Sequence, residues 1–439
     1  MAYYLIPKTT SLVQRKTECS FCETPPTTKI SNSLSNYLYN IKEKLYKREK
    51  EWDIYKKYTN PYEYIHTVVP YRKKSVSKYK PLSRSYFKMI ELINIFSIEY
   101  SEEPIRCFHL AEGPGGFIEA ICNLRKNPKD IYIGMTLLDT KNDTNIPAWK
   151  KSNDFLKKNP NVSVEPGIDN TGNILSLPNF RHCVTKYSSS FDFITADGGF
   201  DFSVDFNKQE ITISRLLFAQ VAYAVSTQKY QGTFILKLFD CFMEHTVDIL
   251  CLLSSFYDKV YITKPQTSRY ANSEKYIVCK GFLFHSNESF FPFIYTTFEK
   301  MVADEDLYIH RFLNIPISYY FLSKIEEINA IFGQQQIENI HYTISLIENR
   351  HKQDKLDNLL KLNIQKCVQW CIKYNIEYNV LANNQYSYST HYVSAVHDHV
   401  DNPDMISESI IEGDIDEDYT IITELVPPPP GFEGVLPIH

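Results

Sequence analysis

Four short stretches hold residues suited to acid–base work. Lys88 closes Ser83-Arg84-Ser85-Tyr86-Phe87-Lys88, and Asp197 stands in Ile194-Thr195-Ala196-Asp197-Gly198-Gly199. Lys237 ends Phe234-Ile235-Leu236-Lys237, and Glu274 ends Ser268-Arg269-Tyr270-Ala271-Asn272-Ser273-Glu274. Each lies at the edge of an apolar run, where a charge is costly to bury unless it is paired. Two lysines held by two carboxylates make a site able to deprotonate a weak acid. A desolvated amine beside a second cation loses its proton more readily, and the remaining positive charge stabilises the anion that forms. Taken alone, Lys237 also reads as an edge lysine reaching for water. Pairing with Asp197 from a neighbouring strand is the sharper reading, and Glu274 and Lys88 then complete it.

Between the first two stretches runs His109-Leu110-Ala111-Glu112-Gly113-Pro114-Gly115-Gly116-Phe117. Glycines after a strand let the backbone approach a ligand, and the helix they open offers free N–H groups to a carboxylate or phosphate. The turn lacks the Gly-x-Gly-x-x-Gly spacing of dinucleotide folds and the Gly-Lys-Ser/Thr ending of a P-loop. By itself it is a weak signal and reads more readily as a plain turn. Beside two lysines and two carboxylates it reads as the seat of a nucleotide-like cofactor. The chemistry that unites these parts is methyl transfer to a ribose hydroxyl, a poor nucleophile that must shed its proton as it attacks the methyl group.

The elements that must position these residues alternate from about 84 to 285. Helices are expected at 84–97, 115–126, 208–228 and 244–257. Strands are expected at Arg106–Leu110, Ile131–Leu138, Val162–Val164, Phe191–Ala196, Thr233–Phe239, Val260–Thr263 and Tyr276–Phe284. The pattern predicts an α/β fold: a Rossmann-like, doubly wound, mostly parallel seven-stranded sheet whose last strand is antiparallel. Asp197, at a strand end followed by Gly198-Gly199, then sits where open α/β sheets bind ligands.

Outside that region, residues 1–30 read as a flexible arm with a lone Cys19-x-x-Cys22, two ligands short of a structural zinc site. Leu34, Leu38, Ile41, Leu45, Trp52 and Tyr55 predict one amphipathic helix over 33–57, stopped by Asn60-Pro61, within an N-terminal segment of 31–83. Ile337, Ile340, Ile344 and Ile347, and then Leu356, Leu359, Ile364, Cys367 and Cys371, predict a helical appendage over 300–377. It is expected to pack on the core or a partner protein and to contribute stability or recruitment. Cys367 and Cys371 at i, i+4 lack further ligands nearby and read as core residues.

The net charge of −5 is unevenly spread. Residues 398–439 hold eleven acids and no Lys or Arg, so the remaining chain keeps all 47 basic residues against 41 of the 52 acids, a body of +6. Arg72, Lys73, Lys74, Lys78, Lys80, Arg84 and Lys88 put seven positive charges and no negative one into residues 71–88. With tyrosines between them they suit a phosphate-tracking groove. The acidic stretch and Val426-Pro427-Pro428-Pro429-Pro430-Gly431-Phe432 are expected to be a disordered tail, with a docking peptide as the alternative to an inert one. No apolar run reaches membrane-spanning length and nothing resembles a signal peptide, so an intracellular protein with reduced cysteines is expected.

The chain resembles the FtsJ-like 2′-O-ribose methyltransferases, whose signature is a Lys-Asp-Lys-Glu tetrad matched by Lys88, Asp197, Lys237 and Glu274. It is more similar still to the eukaryotic and large-DNA-virus branch that acts on the mRNA cap. The motifs are Asn-Pro-Tyr-Glu (60–63), Gly-Pro-Gly-Gly-Phe (113–117), Gly-Met-Thr-Leu (134–137), Ala-Asp-Gly-Gly-Phe (196–200), Lys-x-Phe-Asp (237–240) and Thr-Ser-Arg-x-x-Asn-Ser-Glu-x-Tyr-x-Val-Cys-Lys-Gly (267–281). The resemblance covers about 60–285, so the methyltransferase domain is set at 84–290.

It implies S-adenosylmethionine as cofactor, held by Gly113, Pro114, Gly115, Gly116, Phe117, Gly134, Met135, Thr136, Asp169, Asn173 and Asp197. Asn173 stands where the family writes an acid. The resemblance also implies capped mRNA as substrate, methylated on its first transcribed nucleotide. Arg72, Lys73, Lys74, Lys78, Lys80, Arg84, Asn207, Arg269, Asn272 and Ser273 are the expected RNA contacts. No metal is expected. The alternatives are 2′-O-methylation of the second cap nucleotide, ribosomal RNA or transfer RNA, and a non-catalytic RNA-binding scaffold that has kept the fold. A viral source implies cytoplasmic factories and packaging in the particle, a cellular source the nucleus.

Overall fold

The computed structural model describes residues 2–10, 13–46, 48–98, 102–138, 148–199 and 206–380. The expected tail over 398–439 lies outside these. In chain order the strands are β1 (Tyr3–Leu5), β2 (Thr17–Cys22), β3 (Arg106–Leu110), β4 (Ile131–Met135), β5 (Val162–Val164), β6 (Phe191–Ala196), β7 (Gln228–Leu238), β8 (Tyr257–Thr263), β9 (Lys275–Phe282) and β10 (Tyr308–Leu313). The helices are α1 (Asn32–Tyr46), α2 (Glu49–Tyr55), α3 (Ser85–Ile95), α4 (Gly116–Arg125), α5 (Asn153–Lys158), α6 (Leu177–Tyr187), α7 (Gln209–Thr227), α8 (Glu244–Phe256), α9 (Phe291–Ala303), α10 (Tyr319–Glu348) and α11 (Gln353–Lys373).

Eight strands form the main sheet in the order β1-β8-β9-β7-β6-β3-β4-β5. The pairs β3–β4, β4–β5, β3–β6 and β6–β7 are parallel, and β9 inserts antiparallel between β7 and β8. Runs such as Phe234-Ile235-Leu236 and Ile277-Val278-Cys279 are wholly buried, as expected of strands covered on both faces. The seven expected strands are present in the expected sense.

The eighth strand corrects the reading of the first thirty residues. Tyr3–Leu5 pairs antiparallel with β8, and Thr17–Cys22 pairs with β10 in a second, two-stranded sheet. This N-terminal stretch is part of the fold. Cys19 is fully buried, and burial raises its thiol pKa to about 12, that of an inert core residue. The single helix expected over 33–57 is two, α1 and α2.

Helices α10 and α11 do not stand apart from the N-terminal segment. Ile340 packs with Leu38, Ile41 and Leu45 of α1 and with Phe242. Gly333 is so close to Leu34 that a Cβ would stand 2.7 Å from its side chain. Asn339 Nδ2 donates to the Thr59 carbonyl at 2.9 Å and Asn363 Nδ2 to that of Tyr58 at 2.7 Å. Cys367 and Cys371 are buried, and the Cys367 thiol donates to the Pro61 carbonyl. Among the described residues no helix is long and apolar enough to cross a membrane.

Candidate active site

The four acid–base residues come from four elements that end on one side of the sheet. Lys88 lies in the first turn of α3, whose approach is set by α4: a Cβ on Gly116 would stand 2.2 Å from Ser83 Oγ and 2.3 Å from Ser85 Oγ. Asp197 follows the last residue of β6, Lys237 is the penultimate residue of β7, and Glu274 immediately precedes β9. Across β7 and β9, Lys237 is in register with Tyr276.

Two ion pairs result. Lys88 Nζ lies 2.7 Å from Glu274 Oε1 and donates to Oε2 at 2.8 Å. Lys237 Nζ lies 3.2 Å from Asp197 Oδ1 and donates to the Asp197 carbonyl at 2.6 Å. Tyr276 joins them: its hydroxyl donates to Asp197 Oδ1 at 3.2 Å, while Lys88 Nζ sits 5.9 Å from its ring centroid. The four side chains are only 10–15% exposed, enough to reach a substrate yet largely dry. Burial alone would raise the Glu274 carboxyl pKa, but Lys88, Lys237 and Lys264 outweigh it and hold the group well below the usual range.

Lys264 was not singled out from the sequence. It is buried beneath the Glu274 loop, where its ammonium donates to the carbonyls of Asn272 (2.6 Å) and Glu274 (2.7 Å). Burial lowers its pKa to about 7, against the opposing charge of Glu274. Ser268 Oγ adds a 2.8 Å hydrogen bond to Glu274 Oε1. A lysine before a proline at a strand end was the available signal.

The expected cofactor residues gather at the ends of β3 and β4. Gly113 and Pro114 are half-buried, whereas Gly115, Gly116 and Phe117 are buried beneath them. Gly115 has φ +100°, a conformation that few side chains tolerate, and is the residue from which α4 springs at Gly116. Trp149 fills the space a Cβ would take on Gly134 (2.4 Å). Gly172, at φ +65°, would place a Cβ 2.0 Å from the Thr136 carbonyl oxygen, so the 167–174 loop lies tight on the end of β4. Asp169 accepts from Thr171 and Asn179 on one oxygen and from Ser176 on the other; these bonds overcome burial and hold its pKa down to about 2. Asn173 Oδ1 accepts from the Leu175 amide at 2.9 Å. The glycine turn follows β3, the parallel neighbour of the strand that ends before Asp197, and the Asp197 amide donates to the Leu110 carbonyl at 3.3 Å. A helix start at this edge of the sheet can offer its N–H groups to a ligand's carboxylate.

The expected RNA residues separate into groups. Lys73, Lys74, Lys78 and Lys80 are exposed and Arg72 is half-buried; Lys78 pairs with Glu377 at 3.5 Å. Arg84 and Arg269 converge instead on Glu63, buried at 1% exposure. Burial would raise this carboxyl, but Arg269 and Arg84 prevail and hold its pKa at about 2. Ser273 Oγ donates to Gln209 Oε1, and Asn207 Nδ2 reaches the Tyr39 carbonyl at 3.5 Å. The Asn272 amide donates to the Arg269 carbonyl.

Residues 81–282 match the FtsJ-like methyltransferase family. This segment is an FtsJ-like methyltransferase domain. The chain is 28% identical over 352 residues to a cap-specific mRNA (nucleoside-2′-O-)-methyltransferase 2 of Pongo abelii, covering 76% of this chain and 44% of that protein. It is 29% identical over 253 residues to a cap-specific mRNA (nucleoside-2′-O-)-methyltransferase 1 of Trypanosoma brucei brucei, covering 54% and 64%. The chain thus spans about half the length of the curated relatives it matches. Among solved structures, a ribosomal RNA methyltransferase from Plasmodium falciparum aligns with 46% of this chain and 98% of its own at 22% identity, with a TM-score of 0.33.

Proposed function

We propose that this protein transfers a methyl group from S-adenosylmethionine to the ribose 2′-hydroxyl of the first transcribed nucleotide of capped mRNA. The observation that carries this reading is the meeting of the Lys237–Asp197 and Lys88–Glu274 pairs on Tyr276, with Asp197 following β6, the strand that neighbours the glycine turn's own. The names of the relatives that align over most of the chain support capped mRNA as substrate.

S-adenosylmethionine supplies the activated methyl group. Gly113–Phe117, Gly134–Thr136, Asp169 and Asn173 are the residues that would hold it. Lys237 Nζ takes the proton of the ribose hydroxyl while Asp197 fixes the amine from its carbonyl and carboxylate. Lys88 supplies positive charge to the developing alkoxide and is itself held by Glu274. The low exposure of all four keeps water from competing. The exposed lysines of 71–80 lead the RNA toward this point by its phosphates.

The test is incubation with radiolabelled S-adenosylmethionine and short RNAs of one sequence, capped and uncapped, followed by nuclease mapping. Label on the 2′-oxygen of the first nucleotide of capped RNA alone is the expected result. Label on the second nucleotide moves the site by one position, and equal rates on uncapped RNA move the substrate to another RNA class. A protein that binds S-adenosylmethionine and labels no RNA overturns the reading.

A further inference from the structure

Glu91 is a buried carboxylate with no part in the proton transfer just described, yet three N–H donors from two other segments converge on it. It lies on α3, one helical turn beyond Lys88 and on the same side of the helix. Its Oε2 accepts from the Gln266 amide at 2.6 Å, and its Oε1 from the Thr267 amide at 3.0 Å. These amides open the loop that runs through Ser268, a donor to Glu274, to Glu274 itself. The third donor is Trp370 Nε1 of α11, 2.6 Å from Glu91 Oε1. The Trp370 ring also packs edge-on against Phe87, the neighbour of Lys88, with centroids 5.7 Å apart. From α10, Gln336 Nε2 donates to the Ala271 carbonyl of the same loop at 2.9 Å.

We propose that Glu91 and Trp370 are positioning residues of the methyl-transfer site, through which the C-terminal helices set the Lys88–Glu274 pair. The proposal rests on the reading of that pair as part of the methyltransferase site. A carboxylate with both oxygens occupied by N–H donors fixes α3 and the 265–274 loop at one separation, and Lys88 and Glu274 lie one step beyond each end. Removing the Trp370 donor leaves a buried acceptor short of a partner and loosens the carboxylate that spans the two.

Trp370→Phe in the full chain keeps a ring and deletes the donor. The expected result is a fall in kcat of about ten-fold, with KM for capped RNA and Kd for S-adenosylmethionine changed by about two-fold or less. Hydrogen exchange supplies a readout independent of turnover: the Gln266 and Thr267 amides should exchange about ten-fold faster while the amides of β6 and β7 keep their rates. Glu91→Gln is the second variant, with the same two signatures expected if Trp370→Phe fails to fold. Unchanged exchange at Gln266 and Thr267 overturns the proposal, as does a loss of kcat that disappears at lower temperature with the unfolding midpoint. If wild-type protein labels no RNA, the functional reading of the site fails, whereas the exchange measurement still decides whether α11 holds the loop.

Discussion

Lys237 and Asp197 are brought together by strand order alone: β6 and β7 are parallel neighbours, and the two residues lie at matching ends. If Lys237 is the base, charge at this position is insufficient, because the group must exist without its proton. Arginine keeps the charge and cannot give it up. Lys237→Arg and Lys237→Ala are therefore both expected to lower kcat by about 10²–10⁴-fold while S-adenosylmethionine binding by calorimetry stays close to wild type. Activity retained by the arginine variant would assign the lysine an electrostatic role only. Glu63 gives a pH signature. Its folded pKa, about 2 against the ordinary 4.5, is depressed, so the stability it contributes is complete above pH 4.5 and is lost as pH falls toward 2. The shift corresponds to about 3 kcal/mol. Denaturant titrations between pH 6 and 2.5 should show a Glu63→Gln variant with a flatter acid dependence than wild type. The tetrad was legible because each member stands at the edge of an apolar run. Glu91 was not, because its partner Trp370 lies 279 positions away. Glu63 entered only as the end of a motif, since its partner Arg269 lies 206 positions on. Lys264 gave no sign that it would bond the Asn272 and Glu274 carbonyls, because those bonds depend on how the 265–274 loop folds back.

At the scale of elements, strands with nearly continuous buried runs were read closely: Arg106–Leu110 and Phe191–Ala196 have the expected bounds, as does the short edge strand Val162–Val164. The parallel centre of the sheet needs just such two-sided burial. What escaped was short or non-local. Tyr3–Leu5 carries too few residues for a period, and its partner is Tyr261–Thr263. Helix α6 did carry a signal, since Phe180, Cys183, Val184 and Tyr187 are all buried at helical spacing, although Pro178 near its start masks it. The loop before α6 supports a third prediction. Gly172→Ala imposes a left-handed conformation on alanine and sets its Cβ against a carbonyl that belongs to the backbone and cannot swing away. The expected cost is about 2 kcal/mol or more of stability, with weaker S-adenosylmethionine binding and unchanged affinity for RNA, measured by thermal unfolding and by calorimetry.

For the molecule as a whole the argument is electrostatic. Residues 71–80 are held by the Val69 amide donating to the Lys74 carbonyl, by Val76 and Lys78 bonded to residues 377–379, and by Tyr79, with the following Leu82, bonded to Glu119, so their exposed lysines form a fixed surface. Replacing Lys73, Lys74 and Lys80 together by Gln should weaken RNA binding and reduce the slope of log affinity against log salt by about 2. Residues 398–439 oppose this surface by composition, carrying eleven negative charges against a body of +6. An anionic segment of the same chain competes for cationic sites at an effective concentration set by its tether, and salt weakens that competition. Ending the chain at residue 397 should therefore raise the methylation rate on capped RNA at low salt and leave it unchanged near physiological ionic strength. Steady-state rates of the two chains at 20 and 150 mM salt decide the matter. A shortened protein that folds and binds S-adenosylmethionine but no longer methylates RNA would instead make the acidic stretch part of substrate recognition.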